Sequence, residues 1–292
     1  MKAIIYYLSL PLIYLISLLP FGMLYLFSDF LFVLIYRLFG YRKSVVYNNL
    51  ENSFPEKTEE EIKVIQHVFY RYFFDLIVET IKTLTISQDS LSRRVTLKDP
   101  SIFRKYYDQK QSIIIVMGHY GNWELGGARF AIEPFHKLNV VYHPLQNKYY
   151  DRLVYYMRTR LGNGLYAMKN TLREMVADRN NVTAAAFIAD QTPSPHGAYW
   201  MNFLNQDTPV FTGTGKIANK FNYPVVYATV KRLKRGYYDI QIEELVSNPK
   251  EVEPEQIMAK FTKRLEADIQ AQPEIWLWSH KRWKHKRQKI KC

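Results

Sequence analysis

Residues 3–36, AIIYYLSLPLIYLISLLPFGMLYLFSDFLFVLIY, carry one formal charge, at Asp29. No other feature restricts the chain as much. A stretch this long and apolar belongs in a core or in lipid, where its backbone polar groups pair internally, as a helix pairs them. It is too long and too aromatic for the apolar part of a cleaved signal, and no small-residue cleavage site follows. As one straight helix these 34 residues would reach about 50 Å, against ~30 Å of hydrocarbon. Pro20 and Gly22 offer a break, so the pattern predicts one helix before Pro20 and a second after it. Either both enter the bilayer, or one spans and the other lies at the interface. Arg37, Arg42 and Lys43 follow the stretch, and this cationic excess places the remainder on the cytoplasmic side. Residues 1–38 are therefore read as a membrane anchor and residues 39–292 as one further domain.

Charge and composition agree with an anionic partner. Forty Lys and Arg stand against 27 Asp and Glu, a net charge of +13, with 23 Tyr and 17 Phe. Basic side chains and amphipathic rings both suit a membrane interface. With 48% hydrophobic residues the chain is not of the disordered class. Its one cysteine, Cys292, excludes a disulfide framework and a cysteine-based zinc site, and fits a reducing compartment.

After the anchor, residues 59–86 show helical apolar spacing behind an acidic first turn. Short apolar runs then alternate with helical patterns. Strands are expected at 113–117, 140–143, 182–189, 224–232 and 237–245. Helices are expected at about 123–132, 149–161, 213–221 and 254–270. The alternation argues an α/β fold with a mostly parallel sheet.

The chemistry centres on IIIVMGHYGNWELGG, residues 113–127. A β-branched run stops at Gly118, His119 follows, and a helix begins near Asn122. Polar loops past the carboxyl ends of strands are where α/β active sites collect. On one continuous helix, His119 and Glu124 would be about 500° apart and diverge. With His119 in the loop and Glu124 in the first helical turn they can meet. The carboxylate would then hold one ring nitrogen, leaving the other free as a general base. Backbone N–H groups at the helix start would help cradle developing negative charge. There is no G-x-x-x-x-G-K-S/T loop, no G-x-S-x-G elbow and no metal-ligand spacing among the histidines.

GHYGNWE, residues 118–124, resembles the His-x4-acid motif of the bacterial lipid A biosynthesis (late, secondary) acyltransferases, in its Glu form. The likeness continues in order through FGYRKSVVYNNLENSFPEKT at 39–58, VVYHPLQNKYYDRLVYYMRTRLG at 140–162, AAAFIADQTP at 184–193, TPVFTGTGKIANKFNYPVVYATVKR at 208–232 and PEIWLWSHKRWKHK at 273–286. It implies an α/β fold with a mixed, mostly parallel sheet flanked by helices, like that of glycerolipid acyltransferases. It implies transfer of a fatty acyl chain from an acyl carrier protein thioester to a hydroxyl of a phosphorylated glucosamine lipid, the lipid A precursor, at the cell inner membrane. His119 would be the base and Glu124 its orienting partner. Arg158 and Asp190, with Asn122 and Arg160, would bind or orient substrate. No cofactor, metal or nucleic acid is implied. Alternatives are the same chemistry on an amino-acid lipid, a glycolipid or a pigment-type lipid, and, more remotely, a basic nucleic-acid-binding membrane protein. The tail HKRWKHKRQKIK, residues 280–291, is expected to dock on membrane or phosphate.

Overall fold

The computed structural model describes residues 2–196 and 198–287. The apolar N-terminus forms two helices broken at the proline. α1 (Lys2–Leu18) is followed by α2 (Phe21–Leu31), whose last turns widen to π-helical geometry over Phe32–Leu38. Phe21–Leu38 is long and apolar enough to cross a membrane, while α1 is a shorter apolar helix. Asp29 is held by Arg235, whose guanidinium donates to both Asp29 oxygens at 2.8 and 3.1 Å and also to buried Asp75. The one charge of the apolar stretch thus fastens α2 to the rest of the molecule.

Next come α3 (Lys43–Ser53) and α4 (Glu59–Lys82). A capping box starts α4, with Thr58 Oγ1 accepting from Glu61 N–H and the Glu61 carboxylate accepting from Thr58 N–H. Its inner face buries Ile62, Phe69, Tyr70 and Phe74. The chain continues through α5 (Gln88–Arg94), β1 (Val95–Leu97), α6 (Ser101–Asp108), β2 (Ile113–Met117), α7 (Trp123–Phe130), β3 (Lys137–Tyr142) and α8 (Lys148–Thr159). It proceeds with β4 (Gly164–Ala167), α9 (Thr171–Ala177), β5 (Thr183–Ile188), β6 (Tyr199–Phe203) and β7 (Gln206–Val210). The last elements are α10 (Gly213–Phe221), β8 (Val225–Lys234), β9 (Tyr237–Val246) and α11 (Pro254–Ala271).

Seven strands form one sheet in the order β1-β9-β8-β2-β5-β3-β4. Every neighbouring pair is parallel except β8–β9, so the expected mixed, mostly parallel sheet is present. β6 and β7 form a separate antiparallel hairpin. The central strands read as unbroken apolar runs because helices cover both faces. Ile113 to Val116 of β2 are at most 3% exposed.

Candidate active site

Parallel register brings the central residues together. β2 and β5 pair with Met117 opposite Ile188, and Ala189 N–H donates to Met117 O. Two residues further along each strand lie His119 and Asp190, side by side at the carboxyl ends. His119 Nδ1 is 2.6 Å from Asp190 Oδ1, and His119 N–H donates to Asp190 Oδ2 at 2.7 Å. The buried Trp276 indole also donates to Oδ2, at 2.8 Å. Burial alone would raise the Asp190 carboxyl, but the imidazole, the indole and the His119 N–H together hold it below the usual carboxylate range. An ionised Asp190 makes Nδ1 the protonated ring nitrogen. Nε2 is left as an acceptor, 3.3 Å from the Gln191 side-chain amide nitrogen. Trp123 packs edge-on against the imidazole, with ring centroids 4.9 Å apart.

This corrects the expected pairing. The carboxylate on the His119 ring is that of Asp190, whereas Glu124 faces Arg158. Arg158 Nε donates to Glu124 Oε2 at 3.0 Å and Nη2 donates to Oε1, a bidentate fork. Burial pulls the guanidinium down, but the Glu124 carboxylate outweighs it and raises it, so Arg158 stays a cation. The loop geometry explains the swap. Gly121 turns the chain with φ +61°, and a Cβ there would lie 1.6 Å from Val230 O, so only glycine fits. Beyond that turn, α7 carries Glu124 toward α8 and Arg158 rather than back to the imidazole.

The other two expected substrate ligands point elsewhere. Asn122 is fully buried and caps α7 through Oδ1, which accepts from Leu125 N–H at 2.9 Å. Its amide donates to Glu79 Oε2 at 2.7 Å. Glu79 also accepts from Tyr25 Oη and Tyr238 Oη, and burial raises its carboxyl. Arg160 donates to the carbonyls of Leu84 and Ile86 at 3.0 and 2.7 Å, and it does not line the cavity described next. It ties the turn after α4 to α8.

A cavity of about 500 Å³ opens beside the imidazole. His119, Glu124, Arg158 and Gln191 stand on its wall. Its interior is apolar, with Phe103, Phe130, Leu138, Val140, Ala186 and Ala228 among the lining residues. Small residues make the space: Ala186 and Ala228 on the sheet, and Gly126 and Gly127 on α7.

The segment after α11 closes the site from the opposite side. Tyr120 bridges Trp276 in antiparallel fashion, Gly121 N–H donates to Ile275 O at 3.0 Å, and Leu277 N–H donates to His119 O at 3.1 Å. The basic tail is therefore partly folded inward. Arg282 is 2% exposed and donates to Pro209 O at 2.7 Å, and burial pushes its guanidinium down to about 10. Burial pushes His280 down to about 4. Residues 288–291 of the tail and Cys292 lie outside the described residues. Trp276 and Gln191 were not among the residues expected at the site. Gln191 adjoins Asp190 in the Asp-Gln pair, the one local signal for it, whereas Trp276 lies far away in the sequence.

The arrangement is a polarised imidazole, oriented by a buried carboxylate, at the mouth of an apolar cavity. Residues 1–285 match the sequence profile of the family described as "Bacterial lipid A biosynthesis acyltransferase". The chain is 24% identical to the lipid A biosynthesis lauroyltransferase of Escherichia coli over 282 residues, covering 95% of this chain and 90% of that one. It is 22% identical over 247 residues to the lipid A biosynthesis palmitoleoyltransferase of Escherichia coli, covering 83% and 79%. The figures are the same for a lipid A biosynthesis acyltransferase of Shigella flexneri. With nearly its whole length matched, the chain belongs to the bacterial lipid A biosynthesis acyltransferase family and is an acyltransferase.

Proposed function

We propose that this acyltransferase works at the cytoplasmic face of the inner membrane, in late lipid A acylation. It moves a fatty acyl chain from an acyl carrier protein thioester to a hydroxyl of a phosphorylated glucosamine lipid. The observation that carries this reading is His119, which stands on the wall of an apolar cavity with Asp190 holding Nδ1 and Nε2 left as an acceptor beside Gln191. The acyl chain lies in the cavity with its thioester carbonyl near the imidazole. Nε2 removes the acceptor hydroxyl proton as the oxygen attacks that carbonyl. Asp190 stabilises the imidazolium that forms. The tetrahedral oxyanion collapses, the C–S bond breaks, and the imidazolium returns the proton to the departing thiolate. Arg158, fixed by Glu124 in the cavity wall, is the cation assigned in this reading to the oxyanion or to a lipid phosphate. Glu124 acts through Arg158. The net charge of +13 suits both an acidic carrier protein and an anionic lipid. The apolar helices α1 and α2 support membrane anchoring.

The test is mass spectrometry of total lipids from source cells lacking this gene, complemented with wild type or with His119→Ala. The expected result is lipid A short of one acyl chain, restored by wild type alone. An unchanged lipid A with an acyl chain missing from another lipid class would overturn the acceptor. Restoration by His119→Ala would overturn the mechanism.

A further inference from the structure

A second apolar surface borders the cavity mouth. On α9, Leu172 and Val176 are 44% and 46% exposed, and at four residues apart they share a helix face. Met168, just before α9, is 52% exposed and also lines the cavity. Exposed Lys169 and Arg173 flank them. α8 presents a similar stripe, with Tyr149, Arg152 and Tyr156 at helical spacing and Tyr155 alongside, the last two tyrosines being 49% and 48% exposed. Single exposed apolar residues need no explanation, but two exposed sets do when each lies on a helix that follows a cavity-lining strand end, Tyr142 before α8 and Met168 before α9. The exposed charges here are cationic. Lys148, Arg152, Lys169, Arg173 and Arg179 form no ion pair among the described residues. By contrast, Asp151 and Asp178 accept internal hydrogen bonds from Leu145 N–H and Tyr166 Oη, and the remaining carboxylate, Glu174 of α9, is half-buried.

Continuity of α1 with α8 indicates what covers this end of the molecule. The Tyr7 ring lies 5.8 Å from Tyr149, the Tyr6 ring 5.2 Å from Tyr150, and Ser9 Oγ 2.6 Å from Tyr150 Oη. The outward face of α1, with Leu8 75% and Leu15 62% exposed, therefore runs on into the α8 stripe. Apolar and aromatic residues on one face with Lys and Arg beside them match an anionic lipid surface. We propose that α8 and α9 form a second membrane-contact surface. Tyr155, Tyr156, Met168, Leu172 and Val176 enter the headgroup boundary while Lys169 and Arg173 meet lipid phosphates. The cavity mouth then opens at the level of the lipid, where an acyl acceptor resides. The inference rests on reading α1 and α2 as the membrane anchor.

The experiment uses the full chain carrying Cys292→Ser, with a single fluorescent label at Leu8→Cys, Leu172→Cys or Gln256→Cys. The protein is reconstituted in vesicles of phosphatidylethanolamine and phosphatidylglycerol, with or without nitroxide-bearing lipid. Leu8 probes the anchor, Leu172 the new surface, and exposed Gln256 on α11 the aqueous reference. The expected result is several-fold quenching at positions 8 and 172 and none at 256. Quenching at 8 without quenching at 172 would overturn the proposal and leave the anchor standing. Quenching at neither would overturn both. Equal quenching at 256 would reduce the contact to nonspecific adsorption and overturn it as well.

Discussion

Replacing Gly127 with valine tests whether the cavity holds the acyl chain. Trp123, Gly127 and Phe130 recur at helical spacing along the face of α7 that lines the cavity. A Cβ built on Gly127 meets nothing within 4 Å, so the valine side chain would occupy open cavity space. The glycine is not in the positive-φ region, and valine suits a helix no worse than glycine, so little stability is at stake. An isopropyl group displaces about two methylenes of a bound chain. At ~0.8 kcal/mol per buried methylene, this costs a full-length chain about 1.6 kcal/mol, roughly 15-fold in kcat/KM. A donor two carbons shorter should be affected little. Gly127→Ala removes room for about one methylene and should cost roughly 4-fold on the same scale. The assay is competition between carrier-protein thioesters of two lengths, read by mass spectrometry of the acylated lipid. A folded, active Gly127→Val enzyme with unchanged length preference would refute the placement of the chain in this cavity.

Three other variants probe the remaining geometry. Asp190→Asn keeps the shape but removes the charge that fixes the His119 tautomer, and kcat should fall by about 10²–10⁴; near-normal turnover would refute the His119–Asp190 unit. Arg160→Met removes two charge-assisted bonds to Leu84 O and Ile86 O. It should lower stability by on the order of 2 kcal/mol in a thermal melt while kcat holds, and a KM increase at unchanged stability would return Arg160 to the substrate. His280 is held near 4 in the folded protein against an ordinary 6.5. A histidine lowered in this way is neutral when folded and charged when unfolded across that interval. Its contribution is therefore fully present above pH 6.5 and lost as pH falls toward 4, by at most about 3 kcal/mol. Melting curves of His280→Gln should decline less steeply between those pH values, and identical slopes would count against the effect.

Features carried by local pattern were legible in the sequence. Lack of charge marked α1 and α2, the acidic first turn marked α4, and a β-branched run ending at glycine put His119 past a strand. β2 and α10 fall within the expected bounds, and β5, β8 and β9 within a residue or two. Features carried by register between distant strands were not legible. Asp190 reaches His119 across 71 residues because β2 and β5 are neighbours in register, and adjacency of strands is not written in the spacing of either. Glu124 stands five positions from His119, but nearness in sequence does not bring the side chains together, because Gly121 turns the chain between them. Arg282 lies within a basic run that reads as a tail docking on membrane or phosphate, yet it is buried, because the backbone around Trp276 and Trp278 is stitched to the His119 loop. The short elements β1, β4 and the β6–β7 hairpin carry too little apolar repeat to announce themselves.

The stitching of Trp276 to Tyr120 and Asp190 also sets an order of assembly. The apolar helices leave the ribosome first, and His119 and Asp190 follow. Yet the carboxylate lacks its indole donor, and the loop its antiparallel bridge, until residues around 276 emerge. Contacts separated by this much chain close late in folding. A nascent chain can thus form its apolar helices well before its active site is complete. Chains cut short of Trp276 would carry both His119 and Asp190 and still lack the contacts that hold them in place.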